Sequence, residues 1–445
     1  MTVGGLRGRG PDGIADVVVV GGGPAGSTVA TLLGRAGYEV VLVERHERPR
    51  DHVGELILPS VNMILHRMGL LETVDGQGFV RREGLAWTGP CTRPGEAPRV
   101  RAADFPPPRA LRRYGYNVER SAFDHLLQRA ARDAGVRLES ASATRVVFDG
   151  EHAIGVTVSG SVGSTVERGR FVVDATGRRC LVASQLGLRV RDSSRRQCAI
   201  YTWVRGADYG WPDGLAYAFV HRLRENSAWA WQIPLREGLS SVGLVMDARE
   251  IRAAAGDYDT LLRRIIRDNP ALEPHLSRVR RERPWIVEGD YSYQVARLSG
   301  PGWLLVGDAA GFIDPIFASG VDIAMHSAFF AYQALVPLLR LATWTPQDEA
   351  FQLREYEARL IRGTTMWRRL VEAFYDRPDA VATVATDERR RPGVARVVQG
   401  NLYDLQNLDI AEELLAAMTG EGLGGGSALP GQPSTAATVT VQMRS

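Results

Sequence analysis

The sequence predicts an α/β fold: a parallel-sheet nucleotide-binding unit, an antiparallel sheet inserted into it, and a helical C-terminal region. Three observations carry this. Residues 16–44 read as strand, glycine turn, helix and strand within about 30 residues. Residues from about 195 to 285 hold aromatic and β-branched runs separated by turns. Residues from about 320 to 375 carry helical spacing that continues, with breaks, to about 418.

The first unit opens with the apolar run Asp16 to Val20, followed at once by Gly21-Gly22-Gly23-Pro24-Ala25-Gly26. An Ala/Leu-rich helix, Ser27 to Ala36, closes at Gly37, and a second β-branched run ends at Glu44-Arg45. In the Gly21-x-Gly23-x-x-Gly26 pattern, Gly21 permits the tight turn. Gly23 lets the backbone approach a pyrophosphate, and Gly26 lets helix and strand pack closely. The helix start, with Pro24 and Ala25, offers free N–H groups and a partial positive charge. Glu44 stands 18 residues beyond Gly26, placed to accept hydrogen bonds from a ribose. The motif alone separates neither FAD from NAD. Its place at the start of the fold, with a second signature near residue 308, favours FAD.

Further elements follow in order. Tyr116 to Ala134 reads as a strand end entering an amphipathic helix, and Phe171 to Ala175 as an apolar strand ending in Thr176-Gly177. Ala199 to Val204, Leu215 to Val220, Ala228 to Ile233 and Ser240 to Val245 form the antiparallel set. Trp303 to Val306 returns to a buried strand, followed by Gly307-Asp308. Asp308 ends that strand beside a glycine, so its carboxylate can accept sugar hydroxyls; an ordinary helix cap is the bland alternative. The expected layout is a Rossmann-like FAD-binding domain built from 1–80, 110–190 and 285–345. An antiparallel-sheet substrate domain takes 81–109 and 191–284, a helical C-terminal region 346–418, and a disordered tail 419–445.

Composition excludes several classes. The 445 residues are 44% hydrophobic and 24% charged, with net charge +3, as suits a globular chain with a large core. So small a charge gives no reason to expect nucleic acid or an anionic membrane as partner. No apolar run is long enough to span a membrane. The N-terminus lacks the apolar segment of a secretion signal, and Cys91, Cys180 and Cys198 show neither pairing nor metal spacing, so a cytoplasmic protein without a metal is expected. All 54 Lys+Arg residues are arginine.

Several stretches resemble one family. Gly307-Asp308-Ala-Ala-Gly-Phe-Ile-Asp314-Pro315 is similar to the late flavin motif of the p-hydroxybenzoate hydroxylase class. Val53-Gly54-Glu55-Leu-Ile-Leu-Pro59, Tyr116-Asn-Val-Glu-Arg120 and Phe317-Ala-Ser-Gly320-Val321 resemble blocks of its flavin-dependent halogenase branch. Trp229-Ala-Trp231-Gln-Ile-Pro234 matches that branch's W-x-W-x-I-P pattern. The resemblance covers roughly 15 to 375. It implies flavin contacts for Gly54, Glu55, Arg120, Asp308, Gly320 and Val321, and a substrate wall of Trp229, Trp231, Pro315 and Phe317. The two tryptophans also fit plain core, since both point to one face of a strand.

The sequence departs from the family at one decisive place. Halogenases use a lysine after a GF-V-R segment; here Gly78-Phe79-Val80-Arg81-Arg82 puts Arg82 there. A guanidinium is always protonated and a poor nucleophile, so it forms no haloamine, although it can hydrogen-bond a hypohalous acid or an anion. A solvated or ion-paired surface arginine is the alternative for it. Asp322 stands where the family often has histidine. Candidate acid/base groups are His52, Asp322 and His326, the last two four apart and so on one helical face. The first reading is therefore an FAD-dependent monooxygenase or oxidase of a small secondary metabolite, as in antibiotic biosynthesis, working with O2 through a flavin C4a-hydroperoxide. Reduced FAD comes from a separate flavin reductase or from transient NAD(P)H, and the substrate is free or held on a carrier protein. The alternatives are a halogenase with Arg82 for lysine, a flavin reductase or desaturase of the geranylgeranyl reductase type, and a flavin-binding protein without catalysis.

Overall fold

The computed structural model describes residues 13–89, 100–105, 112–160, 163–191, 196–210, 217–223, 228–289 and 292–420. Cys91 and the tail beyond 420 lie outside these residues.

Strand β1 (Ala15–Val20) is four consecutive valines wide in its buried part. Such β-branched runs suit a strand covered on both faces of a parallel sheet. It pairs in parallel with β2 (Val40–Glu44) on one side and Gly163–Asp174 on the other. The sheet runs in the order Ser299–Gly300, Trp303–Leu305, Gly163–Asp174, β1, β2, Arg137–Ser140. Helix α1 (Pro24–Arg35) starts at Gly23, whose backbone is extended, with Pro24 in the first turn where no N–H is missed. Its buried face, including Val29, Ala30 and Leu33, packs against the long helix Ser319–Leu339.

The second sheet runs Arg280–Arg281, Gln197–Arg205, Leu239–Asp247, Trp229–Pro234, Tyr217–Arg222, Gly84–Thr88, Val100–Asp104. The expectation of an antiparallel sheet holds for its pairs except one: Tyr217–Arg222 pairs in parallel with Gly84–Thr88. The two-residue period divides its faces. Cys198, Ile200, Val204, Leu244 and Met246 face a core shared with Leu261, Leu262, Ile265 and Ile266 of the helix Tyr258–Asp268. Ala199, Tyr201, Trp203, Trp229 and Trp231 face the opposite way, into the main core. That covering helix was not foreseen in a stretch read as strands.

A small sheet, in the order Leu56–Ile57, Gly115–Asn117, Val80–Arg82, is built from strands interleaved in sequence with those of the two large ones. The C-terminal region is helical throughout its described length: Pro346–Asp376, Pro378–Thr386, Arg391–Val398 and Leu405–Thr419. Thr345 and Asp348 close a reciprocal capping box at its start. No helix among the described residues is long and apolar enough to cross a membrane.

Candidate functional site

The carboxyl ends of the parallel strands converge on one cavity of about 680 Å³. Open α/β sheets bind ligands at that edge, where chain ends and helix starts meet. Val20, Glu44, Ala175, Thr176, Gly177, Val306 and Asp308 line it, each just at or beyond a strand end.

The glycine turn has the shape the motif requires. Gly21 has φ +104°, and a Cβ there would lie 2.3 Å from the Ala175 carbonyl oxygen. A Cβ on Gly26 would lie 1.8 Å from the Gly21 oxygen, so helix and strand touch at that point. Gly23 is different: its Cβ direction meets no atom within 4 Å. It faces room that a diphosphate can fill. Glu44 accepts the Gly22 N–H at 2.7 Å and the His46 N–H at 2.8 Å, which fixes its carboxylate at the cavity wall. Gln128, absent from the expected set, donates to the Gly22 carbonyl at 2.9 Å. The residues present fit an FAD-sized dinucleotide.

Arg120 acts as a clamp. Its guanidinium donates to both carboxylate oxygens of Asp124, at 2.9 and 3.0 Å, and to the Val53 carbonyl at 2.9 Å. A bidentate pair of this kind is geometrically fixed. It holds the Val53–Gly54–Glu55 block against the cavity, and Gly54, at φ +101°, leaves no room for a Cβ beside the Arg120 nitrogen, 2.6 Å away. His52 sits at the mouth, its Nε2 3.5 Å from Asp124 and its side chain 45% exposed. Arg45 is exposed at the same rim. Asp308 lines the floor; burial pushes its carboxyl up to about 6, against the pull of Arg120, His52 and Arg178.

The far part of the cavity is aromatic. Trp229, Trp231, Tyr201, Phe219, Phe312 and Pro315 line it, and Gly320 and Val321 bound it from the start of the Ser319–Leu339 helix. Trp231 lies flat on Gly243, whose Cβ would sit 2.2 Å from the ring. Ala318, just before the helix, holds φ +53°, a left-handed conformation that favours glycine. Tyr201 and Phe219 were missed in the sequence, although each alternates with buried neighbours on its strand.

Four expected site residues stand elsewhere. Phe317 turns from the cavity onto Trp367 and Phe374, at centroid distances of 5.8 and 6.3 Å. Asp322 and His326 do share a face, but it is the one turned away: Asp322 accepts from Ser60, and His326 Nδ1 lies 3.2 Å from its Oδ1. The Tyr403 ring covers His326 at 5.0 Å. The Asp322 carboxylate therefore does not face an anion in the cavity. Arg82 is neither solvated nor ion-paired among the described residues. It is 1% exposed, donates to the Ile57 carbonyl at 3.3 Å, and lies over the Phe105 ring at 4.8 Å. It sits one strand behind the cavity wall formed by Leu56, and its Nε has no partner there. Burial pushes its guanidinium down to about 9, so it remains a cation at pH 7.

Comparison with known proteins points the same way throughout the chain. The family model described as tryptophan halogenase matches residues 16–82 and 97–383. A 1H-pyrrole-2-carbonyl-(peptidyl-carrier protein) chlorinase of Pseudomonas fluorescens is 29% identical over 423 residues, covering 91% of this chain and 93% of that protein. A tryptophan 2-halogenase of Chondromyces crocatus is 34% identical over 368 residues, covering 81% of this chain and 67% of its own length. Among solved structures, the myxobacterial chondrochloren halogenase CndH superposes with TM-score 0.73 at 27% identity, covering 92% of this chain and 97% of that one.

Proposed function

Because the chain belongs to the tryptophan halogenase family, whose members are FAD-dependent enzymes, we propose that it is a halogenase that places chlorine or bromine on an electron-rich aromatic ring. One observation carries this beyond the family match: the glycine cradle and the aromatic chamber of Trp229 and Trp231 open into a single cavity. Of the readings the sequence left open, oxygenation or oxidation, halogenation, reduction or desaturation, and flavin binding without catalysis, the relatives support halogenation.

The residues divide the work as follows. Gly21 to Gly26 and the start of α1 hold the diphosphate, Glu44 the ribose, and Asp308 the ribityl hydroxyls. Arg120, Gly54, Gly320 and Val321 shape the place of the flavin ring, and Arg45 stands at the adenosine end. When bound and reduced, FAD supplies the activation of O2 that oxidises halide to a hypohalous acid. Trp229, Trp231 and Pro315 enclose the ring to be halogenated and exclude water, which keeps the oxidised halogen from escaping. No lysine exists in the chain to form a haloamine. Arg82 therefore contributes positive charge behind the wall rather than a covalent halogen carrier. The pyrrole-carrier relative supports a substrate tethered to a carrier protein. A separate flavin reductase is the partner that would supply reduced FAD to an enzyme of this family.

The test is an assay with FAD, a flavin reductase, reduced nicotinamide and bromide, on a pyrrolyl-2-carbonyl carrier thioester and on free phenols, read by mass. A brominated product supports the reading. An oxygenated product indifferent to halide would replace it with the monooxygenase.

A further inference from the structure

Glu55 is only half used by the protein. It is 2% exposed and lines the cavity. Its Oε1 accepts the Trp203 indole N–H at 2.7 Å. Its Oε2 makes no well-formed hydrogen bond, although the Ser241 hydroxyl stands close enough to the carboxylate to favour its charge. A buried carboxylate oxygen short of donors is costly, and at a cavity wall the donor it lacks is one a ligand can bring.

The surroundings of Glu55 belong to the substrate chamber rather than to the glycine cradle. Trp203 lies on the strand Gln197–Arg205, alternate to Tyr201, which lines the cavity. The neighbouring Ser241 hydroxyl accepts the Trp231 indole N–H at 3.0 Å. Tyr201 and Trp231 stand 5.8 Å apart, centroid to centroid. The flat aromatic walls suit a planar ring. Burial pushes the Glu55 carboxyl up to about 7, with Asp51 raising it further and Trp203, Ser241 and Arg120 lowering it. Arg120 cannot neutralise it by contact, since its fork is spent on Asp124.

We propose that Glu55 binds and deprotonates a substrate whose aromatic ring carries its own acidic donor, a ring N–H or a ring O–H. The proposal rests on the halogenase reading, which supplies the hypohalous acid. The donor's proton passes to Oε2. The electron pair it leaves pushes a ring carbon onto the halogen. The carbon–halogen bond forms as the halogen–oxygen bond breaks, and the hydroxide released takes the proton from Glu55 to leave as water. The halogenated carbon then gives its own proton to solvent, the donor atom regains one, and the ring is aromatic again. Glu55 ends as it began. A ring without such a donor, such as an aryl ether, leaves Oε2 unpaired and lacks the pair that activates the carbon.

The experiment uses the FAD-loaded, oxidised enzyme at pH 8, with resorcinol and 1,3-dimethoxybenzene as probes, and follows the flavin visible spectrum. Resorcinol is expected to bind about tenfold or more tightly than its dimethyl ether, as a hydrogen bond to a charged acceptor allows. Glu55→Gln keeps the Trp203 bond through its carbonyl and puts an N–H2 where Oε2 stood. It is expected to erase that preference in enzyme whose visible spectrum shows it still loaded with FAD, with the melting temperature as in the wild type. Glu55→Asp should keep part of the preference. The wild-type preference should also fade below about pH 7, as Glu55 takes up a proton between its charged neighbours Asp51 and Arg120 and beside the neutral phenol of Tyr201. Equal binding of the two probes, no binding of resorcinol, or a preference intact in Glu55→Gln overturns the assignment. Turnover with bromide separates the two readings. A Glu55-dependent preference without any brominated product would sink the halogenase and leave Glu55 standing; bromination indifferent to Glu55→Gln would do the reverse.

Discussion

The indole N–H of Trp229 donates to the hydroxyl of Tyr375 at 3.0 Å, and that hydroxyl in turn donates to Asp314 at 3.1 Å. Three distant parts of the chain meet in this relay: the W-x-W strand, the end of the long C-terminal helix, and the loop that leads into Pro315. The helical region thus reaches the wall of the aromatic chamber through one phenol. Tyr375→Phe takes away the acceptor of the buried Trp229 N–H and one of the donors to Asp314, which keeps the Ile316 N–H, and a loss of about 1–3 kcal/mol is expected in chemical denaturation. A loss of stability below about 0.5 kcal/mol would mean that the relay is replaced by water or relaxes away.

Gly23 and Gly26 should fail differently. Gly23→Val points into open space in the protein and is expected to fold normally but lose FAD, as judged by cofactor retention on gel filtration. Gly26→Ala pushes a methyl group into the Gly21 carbonyl and is expected to lower soluble yield and melting temperature. Normal FAD affinity in Gly23→Val would undo the assignment of the cradle.

Arg82 carries a buried charge without a carboxylate among the described residues. A buried cation without a counter-ion bears its desolvation penalty uncompensated, so an apolar side chain of similar volume removes that cost. Arg82→Met is therefore expected to melt no lower than the wild type, yet to lose halogenation. A marked drop in melting temperature would reveal a stabilising partner for the guanidinium. Arg82→Lys restores the family's residue and asks whether a compact ammonium at this position raises turnover.

His326 gives the fold a pH dependence with a defined sign. Burial lowers its imidazole, but the Asp322 charge and hydrogen bonds outweigh burial and raise it above the ordinary value of 6.5. Arg359 opposes them. A raised folded-state value means that the stabilisation is complete below the unfolded value and is lost as pH climbs through the folded one. The melting temperatures of wild type and His326→Gln should therefore lie furthest apart at pH 6 and draw together by pH 9. A gap that does not change with pH would mean that the imidazole stays neutral.

Local chemistry was legible and distant geometry was not. Gly21, Gly23, Gly26 and Glu44 act over one βαβ unit, so spacing alone placed Gly21, Gly23 and Glu44 at the cavity and Gly26 at the helix–strand contact behind them. Trp229 and Trp231 were placed on one face by the two-residue period, which left open whether that face was core or cavity; it is both. Asp322 misled because it follows Val321 directly. One helical step turns a side chain by about 100°, and two residues adjacent in sequence then face opposite surroundings. Phe317 likewise follows Pro315 closely, but the short turn Pro315–Phe317 swings it onto Trp367. Arg82 was a catalytic candidate with a surface arginine as the alternative, and its burial was invisible because the strand beside it, Gly115–Asn117, lies over thirty residues on. The helix Tyr258–Asp268 did carry its signal, with Leu261, Leu262, Ile265 and Ile266 at helical spacing.

The parallel pairing of Tyr217–Arg222 with Gly84–Thr88 sets an order of events during synthesis. The earlier strand leaves the ribosome long before its neighbour exists. Until then it has its antiparallel partner Val100–Asp104 on one edge and bare N–H and C=O groups on the other. Such an edge will pair with whatever strand it meets first. The parallel sheet waits too, because Gly163–Asp174 needs Trp303–Leu305 at its far side. The second sheet has all its strands only when the chain has passed residue 289, and the first only after residue 305, so the molecule condenses late. Chains cut short of that point would expose an unfinished sheet edge and are expected to aggregate rather than to persist as a folded half.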